Sequence, residues 1–185
     1  IEIKKIDVWN NQIAGARIQI KQGNNVLADW RTEADKSKTV KLTKGTYTFH
    51  EEGSAPSGYL AVTDITFEVS LDGKVTVKNA NGNTVTASNN VLTVTDQHAP
   101  HDITFQKINP WNERISGVRI QIKQGSTTKA DWTTSTSNDK VVSLLPGDYV
   151  FHEVSGPSNY YAVSDFSFKI DITGKVTVTN ANNNT

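Results

Sequence analysis

The segment KIDVWNNQIAGARIQIKQG that begins at Lys5 returns as KINPWNERISGVRIQIKQG beginning at Lys107, an offset of 102 residues. YTFHE ending at Glu51 likewise returns as YVFHE ending at Glu153. After a one-residue deletion before Pro157, DGKVTVKNAN at 72–81 returns as TGKVTVTNAN at 173–182. Self-similarity of this length means two copies of one fold. The 185 residues divide into a first repeat at 1–98 and a second at 102–185, each of ordinary domain size. QHAPH at 97–101 is short, carries Pro100 and lies between two strand patterns, so it is the expected junction.

Inside each copy the apolar period is two, and β-branched and aromatic residues are frequent, which predicts short strands with one buried face and almost no helix. In the first copy the strands are expected near 1–7, 16–22, 26–31, 38–43, 46–51, 60–70, 74–79 and 91–96. The Asn-rich tract 79–90 reads as a hairpin loop with its flank. The fold class is all-β, as tandem two-sheet sandwiches.

Composition removes several classes of function. The formal net charge is zero with scattered basic residues, which leaves no footprint for nucleic acid or an anionic membrane surface. No apolar run is long enough to insert in a bilayer. With no cysteine, disulfides, thiolate nucleophiles and Cys-based zinc sites are excluded. His50 and His152 repeat one strand position facing away from the apolar row, and His98 and His101 flank the junction, so no metal site and no cofactor is expected. No GxSxG or triad-like arrangement is present, and a turnover enzyme is not expected. Without Cys, Met, a leader or an initiator Met, the chain reads as a fragment of an extracellular protein.

Alternation also shows which polar residues are carried inward with the apolar ones. Ile1, Ile3 and Lys5 share a face; so do Tyr47, Phe49 and Glu51, and so do Leu92, Val94 and Asp96. Each strand ends its apolar row with one ionisable residue. Buried charges cost several kcal/mol apiece unless paired, so neutral forms are favoured. A neutral Lys5 is a nucleophile and a protonated Asp96 an electrophile, with Glu51 placed to shuttle protons. The outcome is either an amide between Lys5 and Asp96 or a buried ion pair, and alternation alone leaves both open.

KID at Lys5, IAGA at Ile13, KGTYTFHEEGSAPSGY at 44–59 and VLTVTD ending at Asp96 together resemble a Gram-positive collagen-adhesin B-type (Cna B-type) repeat. That family shows Lys two residues before Asp, GTYTxxE followed by APxGY, and a last strand ending in Asn or Asp. The resemblance implies transthyretin-like or inverse immunoglobulin-like sandwiches with an autocatalytic isopeptide bond. Lys5 then matches the nucleophile, Glu51 the catalytic carboxyl and Asp96 the acceptor, with Glu52 on the opposite strand face.

The second copy departs from that pattern. Lys107 and Glu153 match the first two members and Asn109 stands where the first copy has Asp7, but the sequence carries no acceptor for Lys107. Asn182, Asn183 and Asn184 belong to a polar turn with a counterpart in the first copy and are poor substitutes. The second repeat is therefore expected to lack its last strand, either because the sequence stops short of it or because another chain supplies it, as an open edge and apolar groove would favour.

Trp9, Trp30, Trp111 and Trp132 form two repeated pairs, expected to pack in core or interface. The function expected is a structural stalk module of an extracellular, cell-wall-anchored adhesin or pilus-like protein, whose partners are adjacent repeats. The alternative is a binding module for a host matrix protein or glycan.

Overall fold

The computed structural model describes residues 1–184. It forms two compact units, Ile1–His98 and Ala99–Thr185, each with its own core. All regular elements of the described residues are strands.

In unit 1 these are β1 (Glu2–Asp7), β2 (Arg17–Gln22), β3 (Asn25–Arg31), β4 (Lys38–Thr39), β5 (Gly45–Glu51), β6 (Ile65–Val69), β7 (Val75–Asn79), β8 (Thr84–Ser88) and β9 (Val91–Asp96). One sheet has the order β4-β1-β9-β8 and the other β3-β2-β5-β6-β7. Their inner faces meet through Ile3, Ile18, Ile20, Phe49, Phe67, Leu92 and Val94, all buried. The period-two rows of the sequence supply this interior from both sheets. First and last strands lie side by side and parallel, with Lys5 opposite Val94 and Asp7 opposite Asp96. β2 and β3 are joined through a two-residue loop that opens on Gly23 at φ 57°, the left-handed backbone a type II′ hairpin turn requires.

Three expected boundaries change. The strand expected at 38–43 reduces to Lys38–Thr39, where it pairs with Glu2 and Ile3. The one expected at 60–70 forms its ladder only over Ile65–Val69. The tract 79–90 is more than a loop. It turns at Asn81 (φ 50°) and Gly82 (φ 80°), with the Asn83 amide donating to Ala80 O at 2.9 Å, and returns as β8 against β9. Paired positive φ values are the signature of a type I′ turn, for which Asn-Gly is the favoured sequence; here it carries the chain from β7 in one sheet to β8 in the other. β8 escapes notice because TVTAS is polar and lies at a sheet edge, only half-buried at Val85 and Ala87.

Unit 2 contains β10 (His101–Phe105), β11 (Arg119–Gln124), β12 (Thr127–Thr133), β13 (Lys140–Leu144), β14 (Gly147–Ser155), β15 (Phe166–Ile170) and β16 (Val176–Asn180). The sheet β12-β11-β14-β15-β16 repeats that of unit 1, whereas the second sheet is β10-β13 alone. Among the described residues nothing corresponds to β8 and β9. β10 stops at Phe105, short of Lys107, while β1 continues through Lys5 to Asp7 against its parallel partner. Asn182 (φ 52°) and Asn183 (φ 64°), with the Asn184 amide donating to Ala181 O at 3.0 Å, reproduce the turn that precedes β8 in unit 1.

Candidate functional site

Lys5 arrives on β1, Asp96 on β9 beside it, and Glu51 on β5 of the facing sheet, so the three side chains meet between the sheets. Lys5 Nζ donates to Glu51 Oε2 at 2.9 Å and also to Asp96 Oδ1. The Lys5 side chain is 2% exposed and the two carboxyls 0%. The Phe49 ring lies 5.6 Å from the ammonium, closing the apolar side. Glu51 is held by its second contact, the Val62 amide donating to Oε2 at 3.0 Å.

Two carboxyls therefore share one cation in a dry site. Glu51 Oε1 and Asp96 Oδ2 have no hydrogen-bond partner. A buried oxygen without a donor disfavours the anion, because nothing replaces the water it has lost. Burial accordingly pushes the Asp96 carboxyl up to about 6, against the pull of Lys5 and with some help from Glu51. Asp96 thus keeps its proton far more readily than an exposed aspartate. An amine, a carboxyl able to stay protonated and a second carboxyl at hydrogen-bond distance meet the geometric requirements of general acid–base assisted acyl transfer.

Glu52, next to Glu51 in sequence, lies on the outer face and contacts His50 Nε2 at 3.1 Å. His50 and His152 face outward too, their Nδ1 atoms 2.6 Å from Asp64 and 2.7 Å from Asp165.

In unit 2 the structure brings Lys107 and Glu153 together at 3.1 Å, with the Val163 amide donating to Glu153 at 3.3 Å. No third carboxyl joins them among the described residues. Lys107 is 12% exposed where Lys5 is 2%, and it borders a cleft of about 230 Å³ lined also by Phe105, Arg114, Trp132 and Asp139. Asn182, Asn183 and Asn184 stay in their exposed turn.

The tryptophans divide. Trp30 and Trp132 pack partly buried against the two cores; Trp9, 48% exposed, packs one edge on His98, whereas Trp111 is 78% exposed. Trp9 and Trp111 sit in the turn after the first strand pattern, where alternation no longer turns them inward.

Asp7 and His98 were not legible as site residues. Both are buried, and His98 Nε2 lies 3.2 Å from Asp7 Oδ2. The signal was present: the inward row Leu92, Val94, Asp96 extends to His98 at the same period.

An all-β pair of sandwiches with a buried Lys-carboxyl set is the class of protein that fold and site define. A family model described as SpaA, prealbumin-like fold domain, matches residues 1–83 and again 101–185. The chain belongs to that family, as a tandem of two such domains.

Among solved structures, the C-terminal fragment of pilus adhesin SpaC from Lactobacillus rhamnosus GG is 16% identical, with 97% of this chain and 84% of that one covered and a TM-score of 0.43. The Bacillus anthracis TIE protein is 20% identical over 94% of this chain and 31% of its own, with a TM-score of 0.47. A streptococcal ancillary pilin is 18% identical over 91% and 57%, with a TM-score of 0.36. No curated protein matches the sequence.

Proposed function

We propose that the chain is a structural stalk module of a Gram-positive cell-surface adhesin or pilus-like protein, in which unit 1 closes on itself through an amide between Lys5 and Asp96. The observation that carries this is the placement of Lys5 Nζ between Asp96 and Glu51 in a site without water access. The tandem arrangement of a prealbumin-like domain fits a serial spacer better than a catalyst with a substrate cleft. Resemblance to collagen-adhesin B-type repeats supports a place outside the cell, in a wall-anchored parent, with adjacent repeats as partners.

The chemistry is a single turnover. Lys5 gives up a proton within the site, and its Nζ lone pair attacks Cγ of Asp96. Glu51 carries protons between the nitrogen and the departing oxygen. The N–C bond forms, one C–O bond of Asp96 breaks, and the oxygen leaves as water. No other reactant is consumed and Glu51 is regenerated. Fixed juxtaposition and exclusion of water favour amide formation over hydrolysis. A tie between first and last strands acts mainly on the rate of unfolding.

Intact mass spectrometry is the test. The folded chain should weigh one water less than its sequence, and a digest should yield a branched peptide joining Lys5 to Asp96. Glu51→Gln should restore the full mass in a folded protein. An unshifted mass in the parent chain overturns the crosslink.

For unit 2 the same reading makes β10, which pairs only with β13 among the described residues, the edge on which a strand equivalent to β9 would lie, bringing an acceptor carboxyl to the Lys107–Glu153 pair. A contact surface for host matrix protein or glycan is a second function, favoured by exposed Trp111 and Tyr161. Loss of binding on Trp111→Ala in a folded protein would support it.

A further inference from the structure

The acceptor carboxyl sits where its strand is least supported. β8 accompanies β9 only as far as Thr84 opposite Thr95, and β1 ends with Asp7 opposite Asp96. Past that point the backbone is held by the Leu60 amide donating to Gln97 O at 2.9 Å and by a bridge between Tyr59 and His98. The side chain of His98 then reaches back across to β1, onto Asp7.

Asp7 is fully occupied. Its Oδ1 accepts from the amides of Trp9 at 2.9 Å and Asn11 at 2.8 Å, and its Oδ2 from Asn11 Nδ2 at 3.1 Å. Burial alone would raise this carboxyl, but these donors and His98 outweigh it and hold the group below the usual carboxylate range. An ionised carboxylate only accepts, so the hydrogen of the Asp7–His98 contact is on Nε2. The Trp9 ring, carried by the turn that Asp7 organises, meets the imidazole edge-on with centroids 4.1 Å apart.

Unit 2 separates the two jobs of Asp7. Asn109 accepts from the amides of Trp111 at 3.0 Å and Glu113 at 2.9 Å, so the turn forms without a carboxylate. Asn109 spends its remaining group, Nδ2, on Glu113 Oε2 at 2.8 Å. The turn therefore does not require Asp at this position; what Asp7 has beyond it is the contact to His98.

We propose that Asp7 and His98 are a positioning pair for the Lys5–Asp96 reaction, a clasp that holds the end of β9 on β1 so that the Asp96 carboxyl stays against the Lys5 amine. This rests on the crosslink proposed above. Neither residue touches the reacting atoms; they act through strand register, and reactions between held groups are sensitive to displacements of about 1 Å.

The 185-residue chain, recovered unreacted in denaturant and diluted to refold, gives the test by timed intact mass. His98→Ala and Asp7→Asn should lose water roughly tenfold or more slowly than the parent once folded signal is equal. His98→Gln, whose amide can still donate to Asp7, should recover most of the rate; a merely structural defect would not be rescued by restoring one donor. Equal rates in parent and His98→Ala, or no rescue by Gln, overturn the clasp while leaving the crosslink intact. A parent that never loses water overturns the crosslink itself, and the positioning role with it.

Discussion

Val75 and Val176 occupy the same place in the two repeats, yet Val75 is 2% and Val176 43% exposed. The difference measures what β8 and β9 cover in unit 1. β16 carries Val176 and Val178 exposed, whereas Val75 belongs to the closed core of unit 1.

Truncating these two valines should separate the units. Val75→Ala removes buried apolar contacts and should cost unit 1 about 1–3 kcal/mol. Val176→Ala should change unit 2 by less than about 0.5 kcal/mol. Chemical denaturation, followed by Trp fluorescence and read as two transitions, checks both.

Lys5→Ala leaves two buried carboxyls without their cation and removes the nucleophile. Unit 1 should lose about 3–5 kcal/mol on chemical denaturation, beyond any effect of the lost bond on unfolding rate. Lys107→Ala should cost less, about 1–2 kcal/mol, because Glu153 keeps its hydrogen bond from the Val163 amide and one unmade charged contact is at stake.

The Asp96 carboxyl gives unit 1 a pH signature before reaction. Its pKa is raised from 3.8 to about 6 in the folded state. Between those values the native chain keeps a proton that the unfolded chain has released. Stability of the unreacted unit therefore falls as pH rises through that window, by at most about 2–3 kcal/mol. Once Asp96 is part of an amide, its contribution to the slope should vanish. Denaturation midpoints of freshly refolded and fully reacted protein across the window check this, and rising stability in the unreacted sample would contradict the burial of a neutral acid.

A synthetic peptide with the sequence of residues 90–97, NVLTVTDQ, should bind unit 2 and add to Lys107 with loss of one water. Lys107→Ala should abolish the adduct. Noncovalent binding without the mass change would place the strand but deny the chemistry, and no binding would remove the acceptor edge altogether.

Much of this architecture could be read from alternation. The rows Ile3–Lys5, Phe49–Glu51 and Val94–Asp96 placed three ionisable residues inward, because a strand fixes the side of every second residue wherever one face is buried. Which strands are neighbours is a matter of nonlocal pairing, and nothing local in VLTVTD shows that β9 lies parallel beside β1. β8 stayed hidden because an edge strand of Thr, Ser and Ala has little hydrophobic contrast, although Asn81-Gly82 marked its turn. His98 was assigned to the junction because Pro100 follows closely, yet the inward period continues through it. Trp9 and Trp111 lie in a turn, where period two no longer operates, so Trp111 stays exposed and Trp9 packs only on His98.

Parallel neighbours at the two ends of unit 1 also determine how it would carry traction. With Lys5 bonded to Asp96, tension entering at Ile1 would cross to β9 within the first strand and leave through His98. Everything between, β2 through β8, would hang from that link as an unloaded loop. Extension would then be borne by covalent bonds over a path only a few residues long, and the sandwich would serve as the jacket that keeps the link dry.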